Sequence, residues 1–170
     1  MQNIEIKAKA ENLATLHHLA QHLPADFQWT RSQIDTYFSV PKGKLKLRQE
    51  SDQPAVLIAY HRPNVKSPKL SNYALYTTQE ADQLLHILGS VLNRDVCVEK
   101  QRTLYLWKNI RIHLDQVAQL GDFIEFEAVL ANSDMAQESH SDVQYLLDYF
   151  NIAPHELIDV GYYELLKNAL

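Results

Sequence analysis

A chain of 170 residues with 46% hydrophobic content can bury a core, and residues 1–170 read as a single domain. The formal charge of −5 excludes a general nucleic-acid binder, which would carry a basic excess, and a single cysteine excludes an internal disulfide framework. No apolar leader follows Met1 and no apolar run approaches the ~20 residues that span a bilayer, so a cytoplasmic protein with neither a nucleic-acid nor a membrane partner is expected.

Residues 3–9 alternate cleanly. Asn3, Glu5, Lys7 and Lys9 share one face of a predicted strand, and Ile4, Ile6 and Ala8 share the other. Residues 11–22 place Leu13, Leu16, Leu19 and Ala20 at helical spacing, and Leu23-Pro24 ends that helix. His17, His18 and His22 lack the accompanying glutamate of a zinc helix and read as solvent-facing. A second strand is predicted over 33–38 and a Pro-Gly turn over 40–43. Residues 44–50 alternate most sharply, with Lys44, Lys46, Arg48 and Glu50 on one face. Strands follow over 55–62, where Tyr60 and Arg62 share a face, and over 69–76, which opens on Lys69. Thr77 with Glu80 has the spacing of a capping box and predicts a helix to about Leu92, with Ala81, Leu84, Leu85, Leu88, Val91 and Leu92 as its stripe. In the strand over 95–107, Lys100 and Arg102 point the same way, and Cys97 reads as an inert core thiol. Residues 111–115 put Arg111, His113 and Asp115 together; residues 123–129 do the same for Glu125 and Glu127. The chain then reads as helical over 135–150, with a last helix opened by Pro154.

This pattern of about eight antiparallel strands with four helices is an α+β arrangement. Each charged face, taken singly, suits a wet sheet surface with cross-strand ion pairs. Their recurrence suits a closed barrel with the charged faces inside and amphipathic helices covering Ile4, Ile6, Leu45, Leu47, Ile112, Leu114, Ile124 and Phe126 outside. Such an interior would hold Lys7, Lys9, Lys46, Arg48, Arg62, Lys100, Arg102 and Arg111 beside Glu5, Asp115, Glu125 and Glu127. Buried charge is costly unless paired or bound to ions. Excess cation asks for a polyanion, and the carboxylates offer a hard-cation site. A nucleoside triphosphate with Mg²⁺ or Mn²⁺ satisfies both.

Several segments, in order, resemble the CYTH family of triphosphate tunnel metalloenzymes, and within it the class IV adenylyl cyclase-like subgroup. They are Asn3 to Lys9, Gln33 to Phe38, Gly43 to Arg48, Tyr60 to Pro63, Pro68 to Tyr73, Val98 to Arg102, Arg111 to Asp115, Leu120 to Glu127 and Tyr162 to Leu166. The resemblance implies a closed eight-stranded antiparallel β-barrel with helices packed outside. It implies phosphate contacts from Lys7, Lys9, Lys46, Arg48, Arg62, Lys69, Lys100, Arg102 and Arg111. Metal would be held by Glu5, Glu125 and Glu127 with Asp115, and the catalytic set would be Glu5, Lys7 and Asp115. The family signature is E-x-E-x-K; here Asn3 stands at its first position. Asparagine cannot act as a general base, which weakens hydrolysis more than cyclisation. Conversion of ATP to cyclic AMP and pyrophosphate is therefore preferred over triphosphate hydrolysis and over binding without turnover. The expected partner is a triphosphate-containing small molecule such as ATP, with a homodimer allowed for.

Overall fold

Strands that alternate apolar and charged residues must cover one face, and among the described residues such strands join with others into one nine-stranded antiparallel sheet. The computed structural model describes residues 2–61, 67–130 and 136–169. The elements are β1 (Gln2–Lys9), α1 (Leu13–His22), β2 (Asp26–Phe38), β3 (Lys44–Glu50), β4 (Ala55–His61), β5 (Lys69–Thr78), α2 (Ala81–Val91), β6 (Arg94–Trp107), β7 (Ile110–Val117) and β8 (Gly121–Leu130). They continue with α3 (Ala136–Tyr149), a 3₁₀ turn (Pro154–Glu156), β9 (Leu157–Ile158) and α4 (Tyr162–Ala169). The strand order is β5-β4-β3-β2-β6-β7-β8-β1-β9, and a further β5–β1 pairing closes eight strands into a barrel. Along one edge of β1, β5 pairs with its first half and β9 with its last residues.

The apolar halves of the alternation face outward, under helices. Ile4, Ile6, Ala8, Ile112, Leu114, Ile124 and Phe126 pack with Leu16 and Ala20 of α1 and with Val143, Leu146 and Leu147 of α3. Phe38, Leu47 and Ala55 pack with Leu84, Leu85 and Leu88 of α2. Each fully buried side chain of this size contributes about 1.5–3 kcal/mol. The outer shell therefore carries the stability, which leaves the barrel interior free to be polar. At one end of the barrel the inward positions turn apolar. Tyr37, Val98, Val117 and Phe123 gather around Tyr162 and Leu166, so α4 forms a floor.

Four local expectations differ from the structure. β2 begins at Asp26, because Asp26 to Thr30 pair with the end of β6 despite a register shift between Phe27 and Trp29. The helix expected from Thr77 starts at Ala81, because Thr77 and Thr78 remain in β5 opposite Val56 and Ala55; the Thr78 hydroxyl accepts from the Glu80 N–H instead. Pro154 opens a single 3₁₀ turn closed by the Glu156 carboxylate on the Ala153 N–H (2.6 Å), and the last helix starts at Tyr162. Cys97 is exposed, because it points outward between the inward-facing Val96 and Val98. Among the described residues no helix is long and apolar enough to cross a membrane.

Candidate functional site

Above the α4 floor the barrel encloses a cavity of about 460 Å³, within the range that holds a small organic ligand. Among the described residues, six cations from four strands line it: Lys7, Lys46, Arg48, Lys100, Arg102 and Arg111. Glu5, Glu125 and Glu127 line it too, with Asn3, Gln33, Asp35, Glu50 and His113. The same cavity also has an apolar and aromatic lining, including Trp29, Val56, Ile58, Leu75 and Leu104.

Strand register decides which charges meet. On β2, β3 and β6 Glu50 accepts from Gln33 (2.6 Å) and Arg31 (3.3 Å), and the other lining carboxylate, Asp35, is surrounded by bases. It accepts from Arg48 Nε (2.7 Å) and Nη2 (2.8 Å), Lys46 Nζ (2.9 Å) and Lys100 Nζ (2.8 Å). Burial alone would raise the Asp35 carboxyl, but Arg48, Lys100 and Lys46 outweigh it and hold it well below the usual range. The cost falls on the lysines. Burial, with repulsion from Arg48, pushes Lys46 down to about 7; burial also brings Lys100 down to about 8.

The wall formed by β1, β7 and β8, together with Arg102 of β6, is balanced differently. Lys7 Nζ lies 3.0 Å from Glu125, and Arg102 Nη2 bridges Glu125 (2.9 Å) and Asp115 (2.5 Å). Arg102 Nε also donates to Asp115 (2.6 Å), as does the Tyr162 hydroxyl (2.6 Å). Burial opposes ionisation of Glu125, but Lys7, His113 and Arg102 hold its carboxyl well below normal. His113 sits between Glu125 (3.5 Å) and Glu127 (3.6 Å), and burial with the neighbouring Arg102 lowers its pKa. Asn3 Nδ2 donates to Glu127, while its buried Oδ1 has no hydrogen-bond partner among the described residues. The Lys7 ammonium lies 4.0 Å from the centre of the Tyr162 ring.

A closed barrel with a charged cavity is a recognisable pattern, and comparison with known proteins places it. The CYTH domain profile matches residues 1–151. The chain belongs to the CYTH domain family. A search among curated proteins finds no match. Among solved structures, this CYTH chain is similar to the PH1012 protein of Pyrococcus horikoshii OT3 (19% identity, 96% of this chain and 98% of that chain, TM-score 0.84). It is similar to a candidate adenylate cyclase from Vibrio parahaemolyticus (14%, 96% and 97%, TM-score 0.81). It is also similar to the Pct1 RNA triphosphatase of S. pombe (14%, 91% and 85%, TM-score 0.54). At these identities the likeness is one of fold.

Within the CYTH barrel the structure gathers Glu5, Lys7, Lys46, Arg48, Lys100, Arg102, Arg111, Glu125 and Glu127 around one cavity. Lys9 is not among them. It has the expected parity, but it pairs with Phe123 beyond the level of the floor and is exposed beside Glu11 and His155. Asp115 is fully buried and does not line the cavity; its oxygens are taken by Arg102 and Tyr162. Arg62 lies outside the described residues, and Lys69 is placed only by its backbone register opposite Glu5. Sequence reasoning passed over Asp35 and Gln33 as lining residues. The signal for Asp35 was its place two residues before Tyr37, on the face that also carries Gln33.

Proposed function

We propose that this chain is a metal-dependent phosphotransfer enzyme of the class IV adenylyl cyclase type, converting ATP to cyclic AMP and pyrophosphate, with residues 1–170 acting as one domain. The observation that carries this is the convergence, among the described residues, of six cations and five carboxylates (Glu5, Asp35, Glu50, Glu125 and Glu127) on one cavity of about 460 Å³. The cations match a triphosphate. The lining of Trp29, Val56, Leu75 and Leu104 is surface that inorganic triphosphate could not use, and it supports an organic group attached to it. In the reaction the ribose 3′-oxygen attacks the α-phosphorus, the bond to the bridging oxygen breaks, and pyrophosphate leaves with the electron pair. The 3′-hydroxyl proton passes to Glu5. Lys46, Arg48 and Lys100 hold the phosphate oxygens, Arg102 is aimed by Asp115, and Lys7 offsets charge that grows on the phosphoryl group.

Members of the family are in general metal-dependent. The donors here suit a hard cation: Glu5, Glu125, Glu127 and Asn3 Oδ1, which has no partner among the described residues, all offer oxygen. These residues would hold Mg²⁺ or Mn²⁺, with substrate phosphates completing the shell. When bound, the ion supplies Lewis-acid stabilisation of phosphoryl charge.

Asn3 favours cyclisation over hydrolysis, because a water nucleophile needs a base worth typically ~10²–10⁴-fold and an amide is none. A second reading, binding without turnover, is favoured by one observation: among the described residues no three His, Cys, Asp or Glu side chains are grouped to hold an ion. Incubation with ATP and Mn²⁺, followed by product analysis, separates the outcomes. Cyclic AMP with pyrophosphate is expected. ADP with phosphate would make the chain a triphosphatase, and ATP bound but unchanged would make it a binding module.

A further inference from the structure

Asp35 is 1% exposed and lies beside the cavity, yet it is an acid on the wall that would meet an anion. An acid there repels phosphate, so a phosphate site would be expected to lack one. Its geometry explains its presence. Among the described residues, all its side-chain hydrogen bonds are to Lys46, Arg48 and Lys100, which come from two different strands and would otherwise stand together as three uncompensated cations in a buried place. We propose that Asp35 is a positioning residue of the phosphate site: its carboxylate is the shared counter-ion that holds Lys46, Arg48 and Lys100 converged on the cavity before any substrate arrives. This rests on the phosphate-site reading above.

The chemistry follows from counting charge. With Asp35 the cluster has one anion to three cations and keeps a net charge of about +2 for the ligand. Without it, the cheapest relief is loss of a proton from a lysine, since arginine does not deprotonate in proteins. Lys46 is the group that yields. It faces Asp35 and Tyr37 of β2, Arg48 of its own strand, Tyr60 of β4 and Lys100 of β6, and among these Asp35 is the group that stabilises its charge most directly. Its proton is already held only up to about pH 7. A neutral Lys46 contributes little to a phosphate oxygen. Asp35 would therefore act on affinity through the charge of a neighbour and touch no substrate atom.

The test is the affinity of the full chain for inorganic tripolyphosphate, by calorimetry at about pH 6 and about pH 8. Asp35→Asn is expected to lose about tenfold or more at the lower pH, where Lys46 of the wild type still carries its proton, and to lose little at the higher, where Lys46 is already neutral in both. Asp35→Glu restores the charge and is expected to keep the wild-type pH dependence. Equal affinity of Asp35→Asn and wild type at both pH values, or an equal loss at both, would overturn the proposal. If Asp35→Asn does not fold, the double variant Asp35→Asn with Lys46→Gln decides. A shared counter-ion predicts that removing one of the three cations restores the fold, and failure to restore it overturns the role. Wild-type protein that binds no tripolyphosphate would instead sink the phosphate-site reading itself.

Discussion

The two charged walls of the barrel use similar residues to opposite effect. On β2, β3 and β6 one carboxylate, Asp35, serves three bases within 2.7–2.9 Å. On the other wall, among the described side chains, Glu5, Asp115, Glu125 and Glu127 outnumber Lys7, Arg102 and Arg111. Among the described side chains, then, the first wall carries Asp35 and Glu50 against Lys46, Arg48 and Lys100 and has fewer anions than cations, and the second has fewer cations than anions. A phosphate chain and a divalent ion, lying side by side, would complete both. The comparison also shows why net charge is a poor guide to a site: a chain of −5 overall holds a basic wall because strand register, not composition, chooses neighbours.

The largest effect should come from the acidic wall. Glu125→Gln removes the partner shared by Lys7 and Arg102, and is expected to lower metal-dependent turnover by about 10²–10³-fold. It should also cost about 3–5 kcal/mol of stability, the price of stranding buried charge. Glu127→Gln should match the loss of turnover at a smaller cost in stability, because its partner Arg111 is 43% exposed. Turnover with Mn²⁺ retained in both variants would remove them from the metal site. Next comes the basic wall. Arg48→Ala should weaken triphosphate binding by about 1.5–3 kcal/mol with the fold intact by circular dichroism. Unchanged affinity by calorimetry would take Arg48 out of the site.

A third prediction sets the two walls against pH. Lys46 is held at about 7, below its ordinary value of 10.5, so between those values the unfolded chain binds the extra proton. Its contribution to stability therefore rises with pH across that window, whereas affinity for a triphosphate falls as the lysine loses its charge. The melting temperature followed with and without tripolyphosphate should show the ligand-induced rise shrinking from about pH 7 upward; a constant rise would mean that Lys46 keeps its proton. The smallest effect concerns Asn3. Asn3→Glu places a second carboxylate against Glu127, so the metal-free protein should lose stability and regain it with Mn²⁺. Phosphate release from ATP should increase several-fold, by recruitment of a base or a second ion. A wild-type protein already competent in phosphate release, with no gain from the substitution, would place the base elsewhere.

Much of this was legible in the sequence because β1, β3, β7 and β8 alternate without interruption. Ile4, Ile6, Ile112, Leu114, Ile124 and Phe126 lie under helices as their parity required, and Glu5, Lys7, Lys46, Arg48, Glu125 and Glu127 line the cavity. Parity says which face a residue takes but not how far along the barrel the cavity extends, and that is why Lys9, past the floor, was misplaced. Asp35 was hidden for a different reason. Asp35, Thr36, Tyr37 and Phe38 are all buried, since Asp35 and Tyr37 face the interior while Phe38 is covered by α2 on the other side. Parity puts Asp35 on the inner face, but nothing local says that three bases from two other strands converge on it. Tyr162 stands at the cavity because of where α4 docks, and no local pattern encodes that docking.

The α4 floor has a kinetic consequence. Lys7 and Lys100 lie against Tyr162 at the bottom, and Trp29 and Leu75 sit toward the other end. A molecule that enters charge-first leaves its organic end as a stopper in the neck of a blind sac. Whatever is cleaved at the bottom then waits behind whatever remains above it. In the cyclase reading, cyclic AMP would have to depart before pyrophosphate, release would be strictly ordered, and pyrophosphate, last out, would be the product that competes with fresh ATP.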